Sequence, residues 1–170
     1  MNSLMGYIIQ FILLVLVQVL VVDEINLGYI SQFVAPSIAL LYVLSLPHVI
    51  SNGMLMLLGF TIGITIDVFK STPGMNASAM VVLAYSRPYL LKMLEPRDGY
   101  DITRSPSIYS MKRNFYVAYV GLATLIFHLW FFTIEIMRFS DFHLVLIKTI
   151  LSSIFAVLLI VLIQYLTVKR

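Results

Sequence analysis

The sequence predicts an all-α integral membrane protein with six transmembrane helices, and its composition and hydropathy pattern both lead to this class. Of its 170 residues, 61% are hydrophobic and only 11% are charged, and the mean hydropathy is +0.98. A soluble domain carries far more charge on its surface. The apolar residues also fall in windows long enough to cross a hydrocarbon core of about 30 Å. Composition therefore predicts one membrane domain over residues 1–170.

The first two spans need separate arguments. The six predicted spans cover about residues 4–22, 27–46, 53–69, 75–94, 115–137 and 142–167. The first lacks the basic start and the cleavage site of a signal peptide, and Asp23-Glu24 follows it, so we predict a retained span. In the second, the apolar stretch Val34 to Leu46 is short and stops at Pro47. It must recruit residues 27–33 or lie partly in the interface.

The remaining spans are separated by a short turn and one long loop, and the loop charges predict the orientation. Pro73-Gly74 predicts a tight turn between spans three and four. The hydrophilic loop 95–114 is either a solvated connector or a docking segment for a cytoplasmic partner. Basic residues accumulate on the cytoplasmic side, and this loop and the C-terminus carry most of them: Arg97, Arg104, Lys112, Arg113, Lys169 and Arg170. Six spans with both termini cytoplasmic satisfy this pattern.

The sequence lacks the motifs of several common catalytic chemistries. It contains no cysteine, no phosphate-binding loop, no His-Glu-x-x-His and no Ser-x-x-Lys, so thiol chemistry, zinc hydrolysis and phosphate transfer lack their groups. Residues 59–63 formally resemble a nucleophile elbow with Thr61 as nucleophile, but that elbow needs a strand-to-helix turn. We expect Thr61 to bond to its own helix. We predict a protein that is not an enzyme and needs no metal or cofactor, and we assign the net charge of +3 to topology rather than to nucleic acid.

Span three carries a stripe of two glycines and one acid. Gly59, Gly63 and Asp67 recur every four residues and therefore share one helix face. Glycines let another helix approach closely, and an ionisable group inside a membrane usually faces protein or water. We expect this stripe to be a packing surface with a polar end.

Three charged residues fall in the outer half of the membrane in the predicted orientation. Asp67 and Glu135 lie near the outer ends of spans three and five, and Lys148 lies about 9 Å below the outer start of span six. Lys148 is expected to neutralise Glu135 or Asp67, and Gln18 lies at similar depth. Alternatively, Glu135 and Lys148 reach water at the interface, or Asp67 is solvated.

Other polar residues have structural readings. Arg87 lies in the inner half of span four before Pro88; it either bonds carbonyls freed by a kink or extends toward cytoplasmic phosphates. His128 is expected to form an interhelical hydrogen bond rather than a proton relay. Asn76 is placed to cap the helix that follows the Pro73-Gly74 turn.

In order along the chain, these features resemble one family, MreD, the rod shape-determining membrane proteins. The resemblance covers about residues 18 to 135, and the last span matches only by hydropathy. It rests on the following residues: Gln18, Ile25, Leu27, Gly28, Pro36, Leu46-Pro47, Gly59-Phe60, Gly63, Asp67-Val68-Phe69, Pro73 to Ala77, Arg87-Pro88 and Glu135. Asp23 departs from the pattern, which usually has asparagine there.

The resemblance implies a non-catalytic component of the bacterial cell-elongation machinery in the cytoplasmic (inner) membrane. Its expected partners are MreC and, directly or indirectly, the MreB filament, the glycosyltransferase RodA and RodA's transpeptidase partner. The family is similar in fold to the six-helix substrate-binding subunits of energy-coupling-factor transporters, which take up vitamins.

Two hypotheses follow from the resemblance. In the first, the protein is a scaffold: Gly59 and Gly63 admit a partner's helix and Asp67 anchors it, within a polar set completed by Asn76, Arg87, Glu135 and Lys148. In the second, the protein is a substrate-capture subunit that uses the same polar residues from the outer side. Such subunits present small alanine-rich motifs on span one, and residues 4–22 contain no alanine, which favours the scaffold.

Overall fold

The computed structural model describes residues 3–25, 28–94, 105–137 and 141–167, and these residues are helical with no strand among them. Six α-helices occur within these described ranges, one continued by a π-helix and another preceded by a 3-10 turn. Their bounds are α1 Ser3–Val17 with the π-helix Gln18–Val22, the 3-10 turn Gly28–Ile30, α2 Leu40–Ser45, α3 Asn52–Lys70, α4 Met75–Leu94, α5 Arg113–Ile136 and α6 Phe142–Thr167.

Four of these segments are long and apolar enough to cross a membrane: Met5–Val22, Asn52–Lys70, Arg113–Ile136 and Phe142–Thr167. Their outward faces expose large apolar side chains, such as Leu20 and Leu158. Soluble proteins rarely expose such extensive apolar surface. The chain is therefore a multi-pass helical membrane protein, as its composition predicts.

Helix α4 matches the predicted fourth span but is less apolar than the four. At 20 residues it is about 30 Å long. It packs against both α3 and α5, and residues such as Asn76, Ala79 and Arg87 are buried within the protein. A helix packed between two others meets less lipid, so its buried face tolerates polar residues that a peripheral span does not.

The predicted second span is not a continuous helix. After the 3-10 turn, residues 31–39 follow an irregular path and only Leu40–Ser45 is α-helical, which is about 9 Å of helix. Leu27, the predicted start, lies outside the described residues. The apolar run is explained by burial inside the protein, since Ile38, Ala39 and Leu40 are 0% exposed. Hydropathy alone does not distinguish a core segment from a lipid-facing one.

Side chains from two spans satisfy the irregular backbone before α2. Gln18 Oε1 accepts from the Ile38 amide at 2.7 Å and Gln18 Nε2 donates to the Pro36 carbonyl at 3.2 Å. On the other side, Ser152 Oγ accepts from the Ala35 amide at 3.0 Å. Non-helical backbone at membrane depth is tolerated only where protein or water satisfies it. Gln18 therefore helps to pack the π-helix that continues α1 onto this segment.

Part of the predicted orientation depends on residues that are not described. Residues 95–104 of the long loop, Arg138, and Lys169-Arg170 lie outside the described ranges. In the remainder of the loop, Ser107 and Ser110 form a turn through hydrogen bonds to each other at 3.0 and 3.1 Å. Lys112 then precedes α5.

Candidate functional site

Asp67 joins the end of α3 to the start of α4. Its Oδ1 accepts from Thr72 Oγ1 at 2.7 Å, from Asn76 Nδ2 at 2.9 Å and from the Asn76 amide at 3.0 Å. Its Oδ2 accepts from the Ala77 amide at 2.9 Å. A carboxylate at this position accepts hydrogen bonds from backbone amides in the first turn of α4, which have no acceptor within the helix. The positive end of the α4 dipole also stabilises its negative charge. Asp67 is only 3% exposed, so its charge is balanced by donors inside the chain.

The turn between the two helices is shaped to bring Asp67 to α4. Ser71 ends α3 in the left-handed conformation, with φ 55°, and its amide donates to the Asp67 carbonyl. The Thr72 amide donates to the same carbonyl at 3.2 Å. Gly74 has φ +78°, which suits glycine. Asp67 therefore terminates α3 with its backbone and caps α4 with its side chain.

The two glycines of the stripe face α4 of the same chain. A Cβ placed on Gly63 would lie 2.5 Å from Ala77 Cα and 2.7 Å from the Ala77 amide nitrogen, and one on Gly59 would lie 3.0 Å from the Met80 carbonyl oxygen. The α3 and α4 backbones are thus in close contact along the stripe. The expectation that the stripe admits a partner's helix needs correction, because the chain's own next helix fills that space. We call Gly63, Asp67, Thr72, Asn76 and Ala77 the α3–α4 joint.

Asn76 belongs to this joint in a different role from the one predicted. We expected it to cap the helix that follows the turn. Its side chain instead donates to Asp67 and, at 3.2 Å, to Thr72 Oγ1, while the carboxylate of Asp67 acts as the cap. The sequence pattern predicted a cap from the adjacent polar residue, and the acid reaches the same amides from the preceding helix.

Lys148 pairs with Glu135 and not with Asp67. Lys148 Nζ lies 3.0 Å from Glu135 Oε2, with side chains 20% and 38% exposed. The ammonium also lies 5.3 Å from the centre of the Phe132 ring, within cation–π range. This pair links α5 to α6 and is separate from the α3–α4 joint.

A second ion pair was missing from the sequence-based site. Lys70 Nζ lies 2.9 Å from Asp23 Oδ1, and Gln18 Nε2 donates to the same oxygen at 2.9 Å. Asp23 and Lys70 each follow a predicted span on its outer side. This shared location could have predicted the ion pair from the sequence. Asp23, the position that departs from the family pattern, is therefore matched by a cation on α3.

Arg87 holds the end of α2 through backbone carbonyls. Its Nη2 donates to the carbonyls of Leu46 and Leu44, and its Nε donates to Tyr119 Oη at 3.0 Å. The Tyr119 hydroxyl donates to the Leu44 carbonyl at 3.3 Å. Arg87 is 3% exposed, so it does not extend toward solvent. Carbonyls do bind it, but they come from the end of α2 rather than from a kink in α4.

His48 follows Pro47 close to this guanidinium, outside the spanning helices. Burial, first, and the positive charge of Arg87, second, lower the pKa of His48 from its usual value. A lowered pKa keeps the imidazole neutral at pH 7. A neutral imidazole adds no second positive charge beside the Arg87 guanidinium, which binds the carbonyls of α2.

We expect Arg87→Leu to lower the free energy of unfolding by about 2 kcal/mol, because the lost hydrogen bonds are partly offset by removal of a buried charge. Tyr119→Phe should lower it by about 1 kcal/mol, since only one hydroxyl is lost. Unfolding in mild detergent, followed by circular dichroism, measures both. Lys92→Leu, on the exposed end of the same helix, is the matched control. Equal stability of the Arg87 and Lys92 variants would contradict the carbonyl-binding role.

His128 connects α5 to α6. Its Nδ1 lies 2.8 Å from the Thr124 carbonyl and 3.3 Å from Ser153 Oγ, and the ring is fully buried. The contact with Ser153 is the expected interhelical hydrogen bond. Thr61 likewise donates to the Leu57 carbonyl of its own helix at 2.8 Å, as predicted.

These features define a class: a multi-pass helical membrane protein whose buried polar side chains connect its own helices. Among the described residues there is no group of three acidic or histidine side chains placed to hold a metal ion. Comparisons with protein-family models, curated proteins and solved structures found no significant match for this chain. What the protein does must be argued from its residues and their contacts.

Proposed function

We propose that this chain is a non-catalytic membrane scaffold of the bacterial cell-elongation complex, similar to MreD, which binds MreC and helps to organise peptidoglycan synthesis. In this proposal it resides in the cytoplasmic membrane with both termini cytoplasmic. It crosses six times, and residues 28–46 form a partly non-helical second crossing. MreB, RodA and RodA's transpeptidase partner associate with it directly or through MreC.

One observation carries the proposal: residues that form the sequence resemblance contact one another across the fold. Gln18 bonds the Pro36 carbonyl, and Arg87 bonds the Leu46 carbonyl just before Pro47. Asp67 bonds Asn76. A scattered set of residues shared by chance has no reason to pair in this way. The pattern reads as the framework of one fold, which supports the family resemblance on which the function is proposed.

The proposed docking surface for MreC is the exposed face of α4, because the buried face of α4 already covers the glycine stripe of α3. Tyr85 and Tyr89 are 56% and 61% exposed on this face, and their rings lie 5.5 Å apart. Tyr89 Oη lies 3.5 Å from Tyr85 Oη, so this contact is long and the pair retains hydrogen-bonding capacity. Tyr85 is the eleventh residue of the helix, about 15 Å from its start, where lipid offers no partner. A membrane helix with a polar side chain supplies one.

We expect that replacing both tyrosines by leucine lowers the recovery of MreC with the protein roughly threefold to thirtyfold, since interhelical hydrogen bonds contribute about 0.6–2 kcal/mol. The measurement is co-purification from membranes in mild detergent after co-expression. Tyr165→Leu, an exposed tyrosine on α6 that is 46% exposed, is the matched control.

Two outcomes separate the surface from the function. Unchanged recovery of MreC by the double variant excludes the α4 face and leaves the scaffold role standing. Failure of the wild-type chain to recover MreC, together with failure to restore normal cell width in cells that lack their own MreD, rules out the scaffold role. Truncation of MreC's membrane helix should abolish recovery in either arrangement.

A further inference from the structure

A cleft of about 410 Å³ is lined by the end of the π-helix, the irregular segment before α2, the last residue of α3, and α6. Its lining includes the charged pair Asp23 and Lys70, which we call the polar end. It also includes apolar side chains such as Val34, Phe155 and Leu159, which we call the apolar end. Phe155 is 36% exposed on the outer surface of α6, so the apolar end is continuous with the lipid-facing side of that helix. The cleft therefore has the two-part chemistry of a membrane amphiphile.

At the polar end, only one of the two carboxylate oxygens of Asp23 accepts hydrogen bonds from the described residues. Asp23 Oδ1 accepts from Lys70 Nζ and from Gln18 Nε2, each at 2.9 Å. Asp23 Oδ2 is buried and accepts no hydrogen bond from any residue within the described ranges. A buried acceptor without a donor is costly, and more so when it carries charge. A ligand with an N–H or O–H donor satisfies this oxygen.

Lys70 supplies the complementary charge. Its ammonium has three N–H donors, and one donates to Asp23 Oδ1 at 2.9 Å. A second donor directed into the cleft suits an anionic oxygen such as that of a phosphate. Because the Asp23–Lys70 pair is neutral overall, a ligand that carries one positive and one negative group keeps the site neutral. A phosphatidylglycerol headgroup can donate a hydroxyl to Oδ2, but it brings a net negative charge next to Asp23 and so does not keep the site neutral.

We propose that this cleft binds a zwitterionic phospholipid with a primary ammonium headgroup: the ammonium donates to Asp23 Oδ2, the phosphate accepts from Lys70, and one acyl chain lies along Phe155 and Leu159. Gln18 positions Asp23 and belongs to the site only through it. The cleft does not include the Tyr85 and Tyr89 face, so lipid binding is independent of whether the chain associates with MreC.

Native mass spectrometry of the wild-type protein tests the headgroup without any substitution. The protein is delipidated in mild detergent and offered equal amounts of phosphatidylethanolamine, phosphatidylcholine and phosphatidylglycerol. We expect retention of phosphatidylethanolamine roughly tenfold above phosphatidylcholine, since one charge-assisted hydrogen bond of about 1.5 kcal/mol separates them. Phosphatidylglycerol can donate a hydroxyl to Asp23, but we expect it to be retained less than phosphatidylethanolamine because its net negative charge lies next to that carboxylate. Phosphatidylcholine carries the same charges but has no N–H donor. Equal retention of the three lipids, or retention of none, overturns the proposal.

Two matched pairs of variants locate the site. Asp23→Asn should remove the preference for phosphatidylethanolamine, while Glu24→Gln, at the exposed neighbouring acid, should keep it. Leu159→Trp fills the apolar end and should reduce retention of all three lipids, while Leu158→Trp, at a residue 62% exposed to the outside, should not. Circular dichroism melting confirms that each variant is folded. A preference that survives both Asp23→Asn and Leu159→Trp places the lipid elsewhere and overturns the proposal.

Discussion

Asp67→Leu is expected to lower the free energy of unfolding by roughly 3–5 kcal/mol, since at least two charge-assisted hydrogen bonds of about 1.5–3 kcal/mol are lost. The leucine also leaves the Asn76 and Ala77 amides buried without an acceptor, because Asp67 satisfies both at 3.0 and 2.9 Å. Unfolding in mild detergent, monitored by circular dichroism, measures the change. Glu24→Leu, an exposed acid outside the joint, is the matched control.

Asp67→Asn should fall between wild type and Asp67→Leu. All four contacts of the carboxylate are donors: Thr72 Oγ1, Asn76 Nδ2 and two backbone amides. An asparagine keeps one acceptor oxygen, but its NH2 group is a donor that faces another donor. Only part of the hydrogen bonds at the joint therefore remains. Equal stability of wild type and both variants would contradict the capping role. Equal and large losses would mean that the negative charge is required and an acceptor alone is insufficient.

The membrane class and most of the helices were predictable from sequence, because a long helix that faces lipid needs a long apolar window, which hydropathy detects. The predicted spans at 53–69, 75–94 and 142–167 agree with α3, α4 and α6 within a few residues. The second span was not predictable in this way. Its apolar residues are buried by protein, and the side chains that satisfy its backbone, Gln18 and Ser152, come from distant parts of the chain.

The candidate site was predicted mainly as a set of residues; of its contacts, the pairing of Lys148 with Glu135 was one of the two expected for that lysine. Polar residues inside spans stand out in a sequence, and Asp67, Arg87 and Glu135 were found for that reason. Their partners were less accessible. Spacing identifies a helix face but not the neighbour that covers it, so the space opposite the glycine stripe was assigned to another protein when α4 fills it. Arg87 likewise bonds carbonyls, which carry no sequence signal.

Gly63→Val should be as disruptive as Asp67→Leu, with a loss of about 3 kcal/mol or more. The nearest obstacles to a Cβ are backbone atoms, Ala77 Cα at 2.5 Å and the Asn76 carbonyl oxygen at 2.7 Å. Backbone does not move aside as a side chain does, so α3 and α4 must separate. Gly59→Ala should cost less, since its closest neighbour is 3.0 Å away. Gly121→Ala should be neutral or stabilise by up to about 1 kcal/mol, since a Cβ there meets no atom of the described residues within 4 Å.

The double variant Gly63→Val with Asp67→Leu tests whether helix packing at Gly63 and helix capping by Asp67 depend on each other. If valine separates α3 from α4, Asp67 also loses its hydrogen bonds to the α4 amides. The second substitution then removes few further contacts. We expect the double variant to lose at least about 1 kcal/mol less than the sum of the single losses, as coupled neighbours do. The same unfolding assay measures all three variants. Strict additivity would mean that the carboxylate follows α4 when the helices part, and that the glycine serves close packing alone.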